Sequence, residues 1–234
     1  MQRNNIINEY CVSSHLKDYF SKEILTWFSK NKRKLPWRTR ISQDNFSYLV
    51  FVSEFMLQQT QVKTVIPYFE RFVEKWPSLK SLAKANNNEI LMFWQGLGYY
   101  SRGRNLLKSA KIIASDFNGK IPINEDELKK LPGIGDYTAA AIRSIAFNKK
   151  AVAIDGNVKR VIARFFGLEG VLEKNLSTIY KFAEAICPNS NNRNYTQGVM
   201  ELGATICKPK KPDCPQCVIS KHCIAYNSHR TLSI

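Results

Sequence analysis

The sequence has no apolar run approaching the roughly 18 residues that cross a bilayer as a helix. Its start, Met1 to Cys11, is polar and lacks the apolar stretch of a secretory signal. These two absences predict a soluble, intracellular chain with a cytoplasmic location, nucleoid-associated if the source is bacterial. Internal repeats and long linkers are missing. Long exposed heptads are missing too, which makes a monomer the default. Acidic residues are few: 19 Asp+Glu stand against 35 Lys+Arg, a net charge of +16. A Lys- and Asn-rich proteome yields part of that excess. The larger part points to nucleic acid, whose phosphates the basic residues neutralise. Disorder is excluded by a hydrophobic content of 44%. With 234 residues, at about 150 per domain, the chain makes one or two domains and buries a core without disulfide support.

Cysteines are also few, but four of the six crowd together. Cys11 and Cys187 stand alone, whereas Cys207, Cys214, Cys217 and Cys223 fall within 17 residues in the pattern C-x6-C-x2-C-x5-C. In a reducing compartment such a group reads as a metal site. A zinc ribbon offers two short C-x2-C knuckles, and only one is present. The unequal arms suit a 4Fe-4S cubane better, since each thiolate must reach a different iron. Zinc and free thiols are the competing readings. Pro209, Pro212 and Pro215 stiffen the loop and leave little room for helix.

The rest of the chain reads as helices with short connections. Leu16, Tyr19, Phe20, Ile24, Trp27 and Phe28 fall at helical spacing behind a Ser14 cap. Two further helices flank the Trp76-Pro77 break. The first holds the apolar stretch Tyr48 to Leu57, which is strand-compatible taken alone, and its continuation to Phe72 favours helix. Asn124 and Glu127 have capping-box spacing and open a short helix through Lys130. Leu131-Pro132-Gly133-Ile134-Gly135 breaks it, and a second helix follows from Tyr137 to about Phe147. Helix, Gly-x-Gly turn, helix is the pattern of a helix-hairpin-helix, whose backbone N–H groups face a phosphate.

Two carboxylates stand out. Ala151 to Ile154 runs apolar into Asp155, and Val158, Val161, Ile162 and Phe165 then recur at i, i+3, i+4 and i+7. This puts Asp155 at a helix N-terminus, where the dipole favours an ionised carboxylate suited to stabilising a cation or acting as nucleophile. An ordinary Asp cap has the same signature. Glu54 lies between Tyr48-Leu49-Val50-Phe51-Val52 and Phe55-Met56-Leu57, so it is expected to be desolvated with a raised pKa, as a general acid requires. A buried Glu paired with Lys or Arg is the alternative. Gln58-Gln59-Thr60-Gln61 then forms a strip of amides able to read base edges.

In these motifs the chain resembles the MutY-type adenine DNA glycosylases of the endonuclease III superfamily. The carriers span nearly the whole sequence: Leu35-Pro36-Trp37-Arg38, Ser53 to Val62, Trp94 to Arg102, Leu131 to Gly135, Ile154 to Val158, Glu201 to Ala204, and the four cysteines. The resemblance implies an all-α, two-lobed helix-hairpin-helix glycosylase fold. A six-helix barrel would span residues 37–145, and residues 1–36 plus 146–234 would form a lobe with the 4Fe-4S cluster loop. It implies double-stranded DNA with a mispaired adenine as partner, the adenine being extruded from the stack to be reached. Glu54 then protonates the adenine ring and Asp155 stabilises or bonds to the sugar cation, a division of labour like that of glycoside hydrolysis. Asn157 partners Asp155, and Tyr137 sits by the pair. Relatives with a lysine in place of Tyr137 form a Schiff base and cut the strand, so a monofunctional enzyme is expected. The same carry-over gives Arg38, Leu57, Val62 and Glu201 as pocket walls or base contacts, and Gln59 and Tyr99 as wedges in the duplex. Gly133 and Gly135 hold a backbone phosphate, with a monovalent cation in similar proteins. Many members continue into a C-terminal domain that helps recognise oxidised guanine opposite adenine, whereas this chain stops at Ile234, so its preference for oxidised guanine over guanine is an open expectation.

Two other readings compete. A mismatch thymine or uracil glycosylase of the same superfamily can also carry tyrosine at the hairpin, but the runs Gln58 to Gln61 and Gly96 to Tyr100 match the adenine branch better. A non-catalytic iron-sulfur DNA-binding protein has no need of both Glu54 and Asp155. In either case the cluster folds the C-terminal loop and presents Lys208, Lys210 and Lys211 to phosphates.

Overall fold

The computed structural model describes residues 12–38, 45–170 and 172–228. Cys11, the start of the chain and Ile234 lie outside them. The described residues contain helices and turns and no strand, as the all-α reading requires. The chain forms two compact units: Met1–Arg33 with Asn148–Ile234, and Lys34–Phe147 between them in sequence.

The first unit opens with α1 (Ser14–Asn31). Its cap is Ser13 rather than Ser14: the Ser13 hydroxyl accepts from Leu16 N–H at 3.2 Å, which sets the helix start one residue earlier than expected. Leu16, Phe20, Ile24 and Phe28 are buried, the stripe that the helical spacing predicts.

The second unit holds α2 (Phe46–Leu57), α3 (Val62–Lys75), α4 (Leu79–Ala83), α5 (Asn87–Trp94), α6 (Tyr100–Asp116), α7 (Glu125–Lys129) and α8 (Asp136–Ala141). The stretch from Tyr48 to Phe72 is helical, as expected, but in two helices. Gln59, at φ +56°, turns the chain between α2 and α3, and an apolar periodicity cannot reveal such a residue. Nearly all of α2 is buried, because α3, α6 and the turn after α8 all pack on it. Phe51, Phe55, Phe69, Phe72 and Trp94 are fully enclosed, each contributing about 1.5–3 kcal/mol by burial. Asn124 caps α7, accepting from the N–H groups of Asp126 and Glu127. The helix begun by α8 widens to a π turn over Ile142–Ala146.

The first unit resumes with α9 (Gly156–Phe165), α10 (Leu176–Ile186), α11 (Asn192–Thr205) and the short α12 (Ile224–Asn227). Helix α11 packs on both α1 and α9. Phe20, Phe165, Phe166 and Phe182 form the centre of this core, with the last two rings stacked at 4.1 Å. After α11 the proline-bearing loop makes two 3-10 turns, Cys214–Gln216 and Ser220–His222, before α12.

Candidate active site and nucleic-acid interface

Glu54 lies on α2 and is 6% exposed, so its carboxyl is withdrawn from water by the packing of an almost wholly apolar helix. Leu57 ends that helix and Val62 begins α3, both partly buried. Arg38 sits in the turn after Leu35, donating its N–H to the Leu35 carbonyl at 2.8 Å. Gln58 is not a free reader of base edges. Its side-chain Nε2 donates to the Gly133 carbonyl at 3.2 Å and to the Thr138 hydroxyl at 3.3 Å, tying the end of α2 to the hairpin.

The hairpin needs its first glycine for two reasons. Gly133 stands at φ +83°, and a Cβ there would lie 2.8 Å from the Phe55 ring and 2.9 Å from Asn105 Cβ. Gly135 has extended backbone and caps α8, with open space around it. Tyr137 is the second residue of that helix and is partly buried. Gln59 and Tyr99 are both exposed and both left-handed, at φ +56° and +48°.

In the other unit Asp155 caps α9. Its Oδ1 accepts from Val158 N–H at 2.7 Å and its Oδ2 from Asn157 Nδ2 at 3.0 Å. One carboxylate oxygen is thus spent on the helix start, and the other is oriented by an amide. Asn157 is held in turn by Arg160, whose Nη2 donates to Asn157 Oδ1 at 2.9 Å and to the Gly203 carbonyl at 2.7 Å. Arg160 Nε also donates to the Cys207 carbonyl at 2.7 Å. Gly203 leaves room for Asn157, since a Cβ there would meet Asn157 Cβ at 2.6 Å. Glu201, on α11, is 1% exposed and gives both oxygens to Arg33: N and Nε donate to Oε1 at 3.1 and 2.5 Å, Nη2 to Oε2 at 3.0 Å.

Cys207, Cys214, Cys217 and Cys223 are free and half-buried, and burial raises the thiols of Cys214, Cys217 and Cys223, with neighbouring thiols of the set adding to each. Burial pushes the Cys217 thiol up to about 12, with the neighbouring thiols adding to the shift. Arg164 secures the loop, donating to the carbonyls of Lys208 at 2.7 Å and Pro209 at 2.9 Å and to Cys207 Sγ at 3.4 Å. Among the described residues no three His, Cys, Asp or Glu side chains form a group that could hold a single metal ion. A cubane instead separates its thiolates by its own width, and four free thiols on one short loop, the first beside the Arg164 guanidinium, fit that donor set. Lys208, Lys210 and Lys211 on the same loop are exposed.

Glu54, Arg38, Gln59, Tyr99, Tyr137 and the hairpin therefore belong to one unit, and Asp155, Asn157, Glu201 and the cysteines to the other. The buried Arg160 and Arg164 carry no motif that the sequence reading uses. Arg160 and Arg164 lie one turn apart on a helix that is otherwise apolar on its buried face, and that spacing is the signal for them.

The chain is 44% identical over 210 residues to an adenine DNA glycosylase of Buchnera aphidicola subsp. Schizaphis graminum, covering 88% of this chain and 59% of that protein. It is 41% identical over 213 residues to the human adenine DNA glycosylase, covering 88% of this chain and 39% of that one. The chain thus spans about three fifths or less of these relatives. Among solved structures, a thermostable thymine-DNA glycosylase matches with a TM-score of 0.80 at 31% identity, covering 92% of this chain and 98% of that one. The family model of the HhH-GPD superfamily base excision DNA repair proteins matches residues 52–187, from within α2 through the hairpin and Asp155 to the end of α10. With most of the chain matched and the hairpin in place, the chain belongs to the HhH-GPD superfamily of base excision DNA repair proteins.

Proposed function

We propose that this chain removes adenine mispaired with oxidised guanine or guanine in double-stranded DNA, by hydrolysis of the N-glycosidic bond and without a Schiff base. The observation that carries the reading is Asp155. A carboxylate fixed by a helix N–H on one oxygen and by Asn157 on the other is preorganised to face a developing positive charge. Glu54 supplies the second carboxyl: desolvated on α2, it protonates the adenine ring, so that the base leaves neutral while the electron pair of the C–N bond departs with it. Water then completes the sugar, losing its proton to a carboxylate. Tyr137 offers no amine for imine formation, which keeps the reaction monofunctional. Arg38, Leu57, Val62 and Glu201 are assigned to the base pocket, Glu201 with its charge already balanced by Arg33. Gly133 and Gly135 would receive a backbone phosphate, and the same turn would hold a monovalent cation.

Cys207, Cys214, Cys217 and Cys223 are the ligands proposed for one 4Fe-4S cluster. When bound, the cluster supplies a rigid link that folds the loop. The exposed Lys208, Lys210 and Lys211 then meet phosphates as part of a fixed surface. The protein acts as a monomer in the cytoplasm.

The competing reading, removal of thymine or uracil from a mismatch, has behind it only the 31% identical thymine-DNA glycosylase structure, against adenine glycosylases at 41–44% identity. Single-turnover base release separates them, using duplexes with adenine opposite oxidised guanine, guanine or cytosine, and thymine or uracil opposite guanine, with and without alkali. Adenine release with strand breakage only after alkali is the expected result. Thymine or uracil release selects the competing reading. Binding without any base release leaves a DNA-binding protein.

A further inference from the structure

We propose that Arg102 is a positioning residue for base extrusion, its buried guanidinium holding in place the two loops that present Gln59 and Tyr99 to the duplex. The inference rests on the reading of those two residues as wedges. Gln59 and Tyr99 are exposed, non-glycine and left-handed, at φ +56° and +48°. Side chains adopt that backbone at a cost in free energy and keep it only where the surroundings hold them. Here one buried side chain bonds to the residues on either side of Gln59 and to the residue before Tyr99.

Arg102 is 6% exposed. Its Nη1 donates to the carbonyls of Phe55 at 3.4 Å, Met56 at 2.8 Å and Gln58. Its Nη2 donates to the carbonyls of Leu97 and Gly98, each at 3.1 Å, and to the Thr60 hydroxyl at 3.0 Å. One prong thus grips the carbonyl end of α2 just before Gln59, and the other grips the turn just before Tyr99. Among the described residues no carboxylate pairs with it. The charge is met by carbonyl dipoles at a helix C-terminus and by the faces of Tyr99 at 5.4 Å and Trp94 at 5.8 Å. A lysine has no planar fork to span both loops. Through Gln58 the same segment is bonded to Gly133, so the two loops and the hairpin share one set of hydrogen bonds.

The test uses the full chain and a duplex with 2-aminopurine in place of the mispaired adenine, whose fluorescence rises as the base leaves the stack. Binding is measured separately by anisotropy. Arg102→Lys is expected to bind within about threefold of wild type while losing about tenfold in the extrusion equilibrium. Thr60→Val removes one of the gripped groups and is expected to lose about threefold in extrusion alone. An Arg102→Lys protein that extrudes as wild type does, or that loses binding in step with extrusion, overturns the proposal. If Arg102→Lys fails to keep the wild-type circular dichroism, Thr60→Val decides by the same criterion. Extrusion by wild type with no adenine release rejects the glycosylase reading and leaves this role standing, whereas no extrusion by wild type overturns the role.

Discussion

Arg160 reaches Asp155 through a single amide: its Nη2 donates to Asn157 Oδ1 at 2.9 Å, and Asn157 Nδ2 donates to Asp155 Oδ2 at 3.0 Å. The same guanidinium donates to the carbonyl of Cys207, the first of the four clustered cysteines. One buried cation therefore orients the capping carboxylate and anchors the cysteine loop.

Arg160→Met should separate these two tasks from simple packing, because methionine keeps much of the volume and none of the donors. Losing the bonds to the Cys207 and Gly203 carbonyls is expected to destabilise the protein by about 3 kcal/mol. Urea unfolding checks this, and base release is expected to fall further than the lost folded fraction accounts for.

Gly203→Ala acts on the same relay from the other side. Its Cβ would stand 2.6 Å from Asn157 Cβ and 3.0 Å from the Asn157 carbonyl oxygen, so Asn157 must shift. Overpacking of this kind costs about 1–3 kcal/mol. A lowered melting temperature together with slower single-turnover release at unchanged DNA affinity is the expected outcome.

Glu54→Gln keeps the size of the side chain and removes its titrating proton. Base release is expected to drop by about 10²–10⁴-fold, the usual worth of a general acid, while DNA binding by anisotropy stays within a few fold. A variant that releases adenine at the wild-type rate removes Glu54 from the chemistry.

Iron and sulfide analysis tests the cysteine loop. Anaerobically purified protein should carry about four iron and four sulfide per chain, with a broad visible absorption. Cys217→Ser is expected to lose most of both, and with them salt-dependent DNA affinity, as the lysines at 208, 210 and 211 lose their fixed loop. Stoichiometric zinc instead would select the ribbon reading.

What the sequence made legible was short-range. Asp155 caps α9 because an Asp before an amphipathic stretch is a local signal, and the glycine of the hairpin was readable from Leu-Pro-Gly-x-Gly for the same reason. The burial of Glu54 followed from its neighbours. The spacing of Arg160 marks it as unusual, but what Arg102 and Arg160 hold was not legible, because most of the carbonyls they bond lie more than 40 residues away, and a carbonyl leaves no trace in the residue type that carries it. The break between α2 and α3 was missed since apolar spacing continues across Gln59. Gln58, read as an exposed amide, proved to be committed to Gly133 by a contact 75 residues distant.

The division of the chain also bears on the order in which it folds. Lys34–Phe147 is continuous, and its helices can collapse as soon as they emerge from the ribosome. Helix α1 is made before them, yet it packs on α11, which is synthesised far later. Its apolar stripe must therefore stay unpartnered through most of translation, and closing that long loop comes late. The vulnerable interval in the life of this protein is that wait, when α1 is open to chaperones and proteases while the hairpin unit is already complete.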